Sequence, residues 1–187
     1  MDSPGGGSGP NPGGGGGSIG PGDDTQRGIA NKALLDALNI LARNQQCADF
    51  LSDRGNYNFG RPEDRDAKKI LEAIFPNSER QLVLADRSTA ISLFPSADSS
   101  QLDFIMANTI AYTYLGSGRM GKMYLFPYFF DNELSDENRA SVILHEVGHM
   151  TGYWNDNFPN NYYGGIEYQD ALSVNCDLLI FLSHPQQ

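Results

Sequence analysis

Apolar residues recur with a helical period from residue 29 onward. Leu34, Leu38 and Leu41 fall at i, i+4 and i+7, and Ile29, Leu35 and Ile40 broaden the stripe. Asp23-Asp24-Thr25 supplies a capping start, so a helix is expected to run to about Arg43. A second helical piece carries Cys47, Phe50 and Leu51 towards a loop at 53–60. Pro62-Glu63-Asp64 opens a third, with Ile70, Leu71, Ile74 and Phe75 on one face and Pro76 as its stop. The period then changes. Residues 81–85 and 89–94 are short, aliphatic or β-branched and bounded by polar turns, so both read as strands. Residues 105–115 fit either a strand or a helix, and Gly116-Ser117-Gly118 reads as a turn. Residues 123–126 read as a strand that Pro127 confines to an edge or terminal position.

The most sharply written element follows. Ser135 is placed as an N-cap, and Asp136 and Glu137 sit in the first turn, where the helix dipole favours negative charge. Ala140, Ile143, Leu144 and Val147 form an apolar face, and Gly152 is positioned to end the helix. A loop rich in Asn, Tyr and Gly leads to a closing helix expected over 166–181. Helices mixed with a few short strands make the expected fold class α+β.

Composition bounds the rest. Residues 1–22 hold eleven of the chain's 21 glycines and four of its ten prolines, so they read as a disordered linker, with residues 23–187 as one domain. A net charge of −10 disfavours nucleic acid and anionic membrane surfaces as partners. No apolar run approaches the roughly 20 residues that span a bilayer. The start, Met1-Asp2-Ser3-Pro4 and then glycines, lacks the basic and apolar parts of a signal peptide. Cys47 and Cys176 read equally as two buried thiols or as one disulfide, and a bridge implies an oxidising compartment.

Chemistry concentrates at His145-Glu146-Val147-Gly148-His149, an HExxH motif. Residues four apart share a helix face, so both imidazoles can bind one ion. Glu146 lies about 100° round from His145, beside the ion's open position, where it can move protons as general base and acid. Neutral imidazole suits Zn²⁺, in a site of three protein ligands and a water. This composition yields an HExxH by chance in roughly 0.1% of shuffled chains, so the match is informative.

The third ligand is less sharply written. Gly152 has the spacing of HExxHxxGxxH/D enzymes, but the next ligand position holds Asn155, and Asp156 comes one residue later. Glu167 stands 18 residues after His149, an arrangement that resembles the gluzincins, with Asp170 one turn on to orient an imidazole. Glu167 is preferred to Asp156. Their ordinary alternatives are a loop cap for Asp156 and a helix-dipole partner for Glu167. His184 reads as part of the tail. Tyr153, Tyr162, Tyr163 and Tyr168 are all placed to donate to an oxyanion, and none is singled out.

The chain resembles the zincins, the HExxH metallopeptidases. More narrowly, it is similar to the small metallopeptidase-like domains at the carboxyl ends of bacterial Rhs/YD-repeat polymorphic-toxin proteins. The residues that carry this are Cys47-Ala48-Asp49-Phe50-Leu51, Tyr124-Leu125-Phe126 running into Phe129-Phe130, Ala140-Ser141-Val142-Ile143-Leu144 before the HEVGHMTG segment, and Cys176 in the closing helix. The resemblance spans about residues 24–182. It implies a minimal zincin-like fold whose edge strand borders the substrate cleft, Zn²⁺ as cofactor and a protein or peptide as substrate. It also implies secretion or surface display, tethered to a larger upstream protein through the glycine-rich stretch. The alternative function is a non-catalytic zincin-like interaction module.

Overall fold

The computed structural model describes residues 24–52, 66–74, 82–114, 122–151 and 166–178, with the side chains of residues 73 and 166–170 outside that description. The linker at 1–22, the helix start at Pro62-Glu63-Asp64, the stop at Pro76, the glycine turn at 116–118 and the helix end at Gly152 lie outside it. Among the described residues the architecture is α+β, with helices packed on a small mixed sheet.

Helix α1 (Asp24–Arg43) buries Ala30, Ala33, Leu34, Ala37 and Leu41; of the expected stripe, Leu34 and Leu41 are buried, Ile29, Leu38 and Ile40 partly so, and Leu35 is exposed. Helix α2 (Gln45–Ser52) begins where the Asn44 side-chain oxygen accepts from the Cys47 N–H at 3.0 Å, and it buries Cys47, Phe50 and Leu51. Helix α3 (Ala67–Ile74) adds Ile70, Leu71 and Ile74 to the same core. Helix α6 (Asp136–Met150) runs against α1, its first turn capped by Ser135, whose hydroxyl accepts from the Asn138 N–H at 3.1 Å.

Strands β1 (Leu82–Leu84), β2 (Ala111–Tyr114) and β3 (Lys122–Leu125) form one sheet in the order β1-β3-β2. β1 is parallel to β3, pairing Leu82 with Met123, and β2 is antiparallel to it, pairing Tyr112 with Tyr124. Side chains alternate across the sheet. Leu82, Leu84, Met123 and Leu125 join the main core with α1, α2, α3 and α6. Tyr112 and Tyr124 point the other way and pack with Phe126, Ala90 and Leu102. The last two belong to α4 (Arg87–Leu93) and α5 (Ser99–Asn108), so helices cover both faces.

Three expectations are corrected. Residues 89–94 are not a strand but most of α4. The Asp86 side chain accepts from the Thr89 N–H and from the hydroxyls of Ser88 and Thr89, and this cap outweighs the local β-like composition. Strand β3 is the central strand rather than an edge, because Pro127 lies beyond the ladder at the first turn of a 3-10 helix (Pro127–Phe130), where no N–H is needed. The closing helix α7 (Ile166–Cys176) stops before residue 181. Asp177 takes a left-handed φ of 53°, and the Leu178 N–H reaches back to Ser173 O at 3.1 Å, which satisfies a terminal carbonyl. The ambiguous stretch 105–115 divides, ending α5 and then forming β2.

Two further connections tie elements together. Buried Arg139 donates from Nε to Phe129 O at 2.9 Å and from a terminal nitrogen to Asp131 O at 2.7 Å, which ties the 3-10 turn to the start of α6. Cys47 and Cys176 are disulfide-bonded, joining α2 to α7. No described helix is long and apolar enough to cross a membrane.

The Asp86 cap has a measurable consequence. Its three donors, led by the Thr89 N–H, hold the carboxyl below its ordinary 3.8. A depressed folded pKa means the stabilisation is present above 3.8 and is lost as pH falls through the lower folded value. Asp86→Ala is therefore expected to cost about 1 kcal/mol near neutral pH. In denaturant melts, the gap between the two proteins should narrow as pH is lowered below 3.8. A gap that stays constant into that range would count against the cap.

Candidate metal centre

The HExxH residues occupy the last two turns of α6. Apolar positions Ala140, Ile143, Leu144 and Val147 are buried on the core side, which leaves the His145 and His149 rings together on the adjoining face. His145 is half-buried, while Glu146 and His149 are buried at 5% and 9% exposure. The two Nε2 atoms lie 3.1 Å apart, with ring centroids separated by 4.8 Å and planes inclined at 77°. Ligand-capable atoms of His145, Glu146 and His149 all fall within 4.8 Å of one another, and this is the only such group among the described residues.

That geometry fits a shared ion. Two nitrogens each about 2.05 Å from one centre and 3.1 Å apart subtend roughly 100°, close to a tetrahedral angle. A single N–H···N bond between neutral rings also spans 3.1 Å, so the ring contact alone has two chemical readings. The location favours the cation. The pair sits at the carboxyl end of a 15-residue helix, the negative end of its dipole. Glu146 adds a carboxylate within the same cluster.

Two threonines hold this turn in place. The Thr151 N–H bonds Val147 O at 2.9 Å and its hydroxyl donates to Gly148 O at 2.8 Å, closing the helix immediately after His149. Thr113 of β2 donates from Oγ1 to the backbone oxygen of Glu146 at 3.3 Å, which fastens an outer strand of the sheet to α6. Its neighbour Tyr112 is half-buried and stacks obliquely on Phe94, with centroids 5.3 Å apart. Burial raises the Tyr112 phenol above its ordinary 10.0, and the charges of Tyr114 and Glu146 push it in the same direction.

Of the predicted site residues, the structure brings together His145, Glu146 and His149. Asp156 lies outside the described residues, as do Asn155, Tyr153, Tyr162, Tyr163 and His184. Glu167, Tyr168 and Asp170 are placed as backbone in the first turns of α7, with their side chains outside the description. Sequence reading missed Thr113, Thr151 and Tyr112. Thr151 had a local signal, as a hydroxyl residue two positions after the last ligand at a helix end. Thr113 and Tyr112 had none, because the pairing that delivers β2 to α6 is tertiary.

No protein-family model, curated protein or solved structure matches the chain.

Proposed function

We propose that this protein is a zinc-dependent metallopeptidase, on the strength of one observation above the others: two imidazoles one helical turn apart converge to 3.1 Å beside a buried glutamate. His145 and His149 would hold the ion, and a carboxylate, Glu167 before Asp156, would complete the set. A bound Zn²⁺ supplies Lewis-acid polarisation of a carbonyl and acidifies water to near neutrality. Glu146 would accept the proton of a water attacking the peptide carbonyl and return it to the departing amine nitrogen. Its burial keeps bulk water from competing for the proton.

The substrate is a peptide in extended conformation. β2 is one of the two outer strands of the described sheet, and its Thr113 touches the backbone of Glu146, so a peptide added along β2 would pass the proposed catalytic turn. The disulfide supports an oxidising compartment, in keeping with secretion or surface display.

Metal content is the direct test. Untagged protein purified without chelator is expected to carry about one zinc per chain and to cleave an unfolded protein substrate in a chelator-sensitive manner. Protein that takes up no zinc even after reconstitution would instead indicate a non-catalytic module.

A further inference from the structure

The residues of β2 divide by face. Ala111 packs against the main core, and Thr113, on the same side of the strand, reaches the Glu146 backbone on α6. Tyr112 and Tyr114 point the other way. Tyr112 is half-buried there, in tilted contact with Phe94 and opposite Tyr124 of β3. Tyr114 is 50% exposed, and among the described residues it is the only exposed large apolar side chain carried by a strand. Burial raises the phenols of Tyr112 and Tyr124, and the charge of Tyr114 adds to both, so the three rings share one patch. Only Tyr114 has open ring surface at the outer edge of the described sheet.

We propose that Tyr114 is the specificity-determining residue of the peptidase, selecting an aromatic side chain at the substrate position next to the one that faces the catalytic turn. This inference rests on the metallopeptidase reading and on substrate pairing with β2. A strand added to β2 places its side chains on the same two faces, each opposite a β2 residue at about 4.5–5.5 Å between Cβ atoms. The substrate residue opposite Thr113 therefore faces α6 and the HExxH turn. Its neighbour on one side turns to the other face and lies against Tyr114. Its neighbour on the other side meets Tyr112, whose ring already packs on Phe94. The discrimination thus falls on Tyr114. An aromatic side chain there covers ring surface otherwise left to water and adds the directional gain of a ring pair. An aliphatic side chain supplies the first of these alone, and a small polar one supplies neither. The contact is remote from the reacting atoms and is the same before and during reaction, so it acts on KM rather than on kcat.

The test has two arms on the full chain. Tyr114 belongs to neither core cluster, so substitutions there should leave the fold intact. In the first arm, zinc-reconstituted protein digests a mixture of unfolded peptides, and the cut sites are read by mass spectrometry. Wild type should show Phe, Tyr or Trp enriched at least about fivefold at one fixed position beside the cut. Tyr114→Phe should keep that enrichment, because the ring does the selecting, and Tyr114→Ala should lose it. Cleavage without the enrichment, or enrichment that survives in Tyr114→Ala, overturns the subsite and leaves the peptidase reading standing. In the second arm, metal-free protein is titrated with acetyl-Ala-Phe-Ala-Phe-Ala-amide and with its all-alanine counterpart, followed by NMR at the backbone amides of residues 111–114. The phenylalanine peptide should bind at least about fivefold more tightly, and Tyr114→Ala should erase the difference. Equal binding, or binding that leaves those amides unshifted, overturns the subsite. Protein that cuts nothing overturns the peptidase reading, and the second arm then decides the subsite on β2 alone.

Discussion

Glu146→Gln should leave zinc binding near wild type while lowering peptide hydrolysis by about 10²–10⁴-fold. The substitution is nearly isosteric, so the packing around this 5%-exposed side chain changes little. What it removes is the ability to hold a proton between the attack and the departure of the amine. The amide oxygen of glutamine still accepts a hydrogen bond from water, which preserves orientation without basicity. The loss should therefore appear in kcat, with KM little changed, because extended peptide would still lie along β2. Zinc content by elemental analysis and kcat on a verified substrate separate the two properties. A metal-replete variant that cleaves at the wild-type rate would remove Glu146 from the mechanism.

How much of this was legible in the sequence depends on how local the governing interaction is. The cap, first-turn acids and apolar face of helix α6 could be read because they lie, with the two histidines, within one stretch of chain. Helix α4 does not read as a helix because residues 89–94 carry Thr, Ile, Leu and Phe, while the deciding residue, Asp86, stands three positions before them and accepts three hydrogen bonds. The division of residues 105–115 had an available signal in Asp98 and Gln101, which form a reciprocal capping box at the start of α5. Other features had no local signal. β3 is central because β1 and β2 approach it from opposite sides, and the register that sets this is written across 40 residues. The pairing of Cys47 with Cys176 spans 129 residues and follows only once α7 is docked on α2. The proposed third ligand belongs to the same category. His145 and His149 are related by helix geometry alone, whereas either candidate, Asp156 or Glu167, would have to be brought to them by the path of the chain after residue 151.

His149→Ala should abolish tight zinc binding, and the effect should be visible in stability as well as in activity. Loss of an outer partner of a ligand already weakens metal binding about 10–100-fold, and deleting a ligand itself should exceed that range. For the wild type, free zinc at 1,000 times the dissociation constant adds about 4.1 kcal/mol to folding. At about 2–4 °C per kcal/mol for a chain of this size, the melting temperature should rise by roughly 8–16 °C. His149→Ala should show almost none of this rise. Its melting temperature without metal should fall only modestly, since the ring lies at the helix end rather than among the fully buried side chains of the core. The same pair of melts decides what the 3.1 Å contact between the rings means. If it is only an N–H···N bond between neutral imidazoles, wild type and variant should both be indifferent to zinc. If the nitrogens converge on an ion, only the wild type should respond, and a variant that still holds stoichiometric zinc tightly would show that His149 is not a ligand.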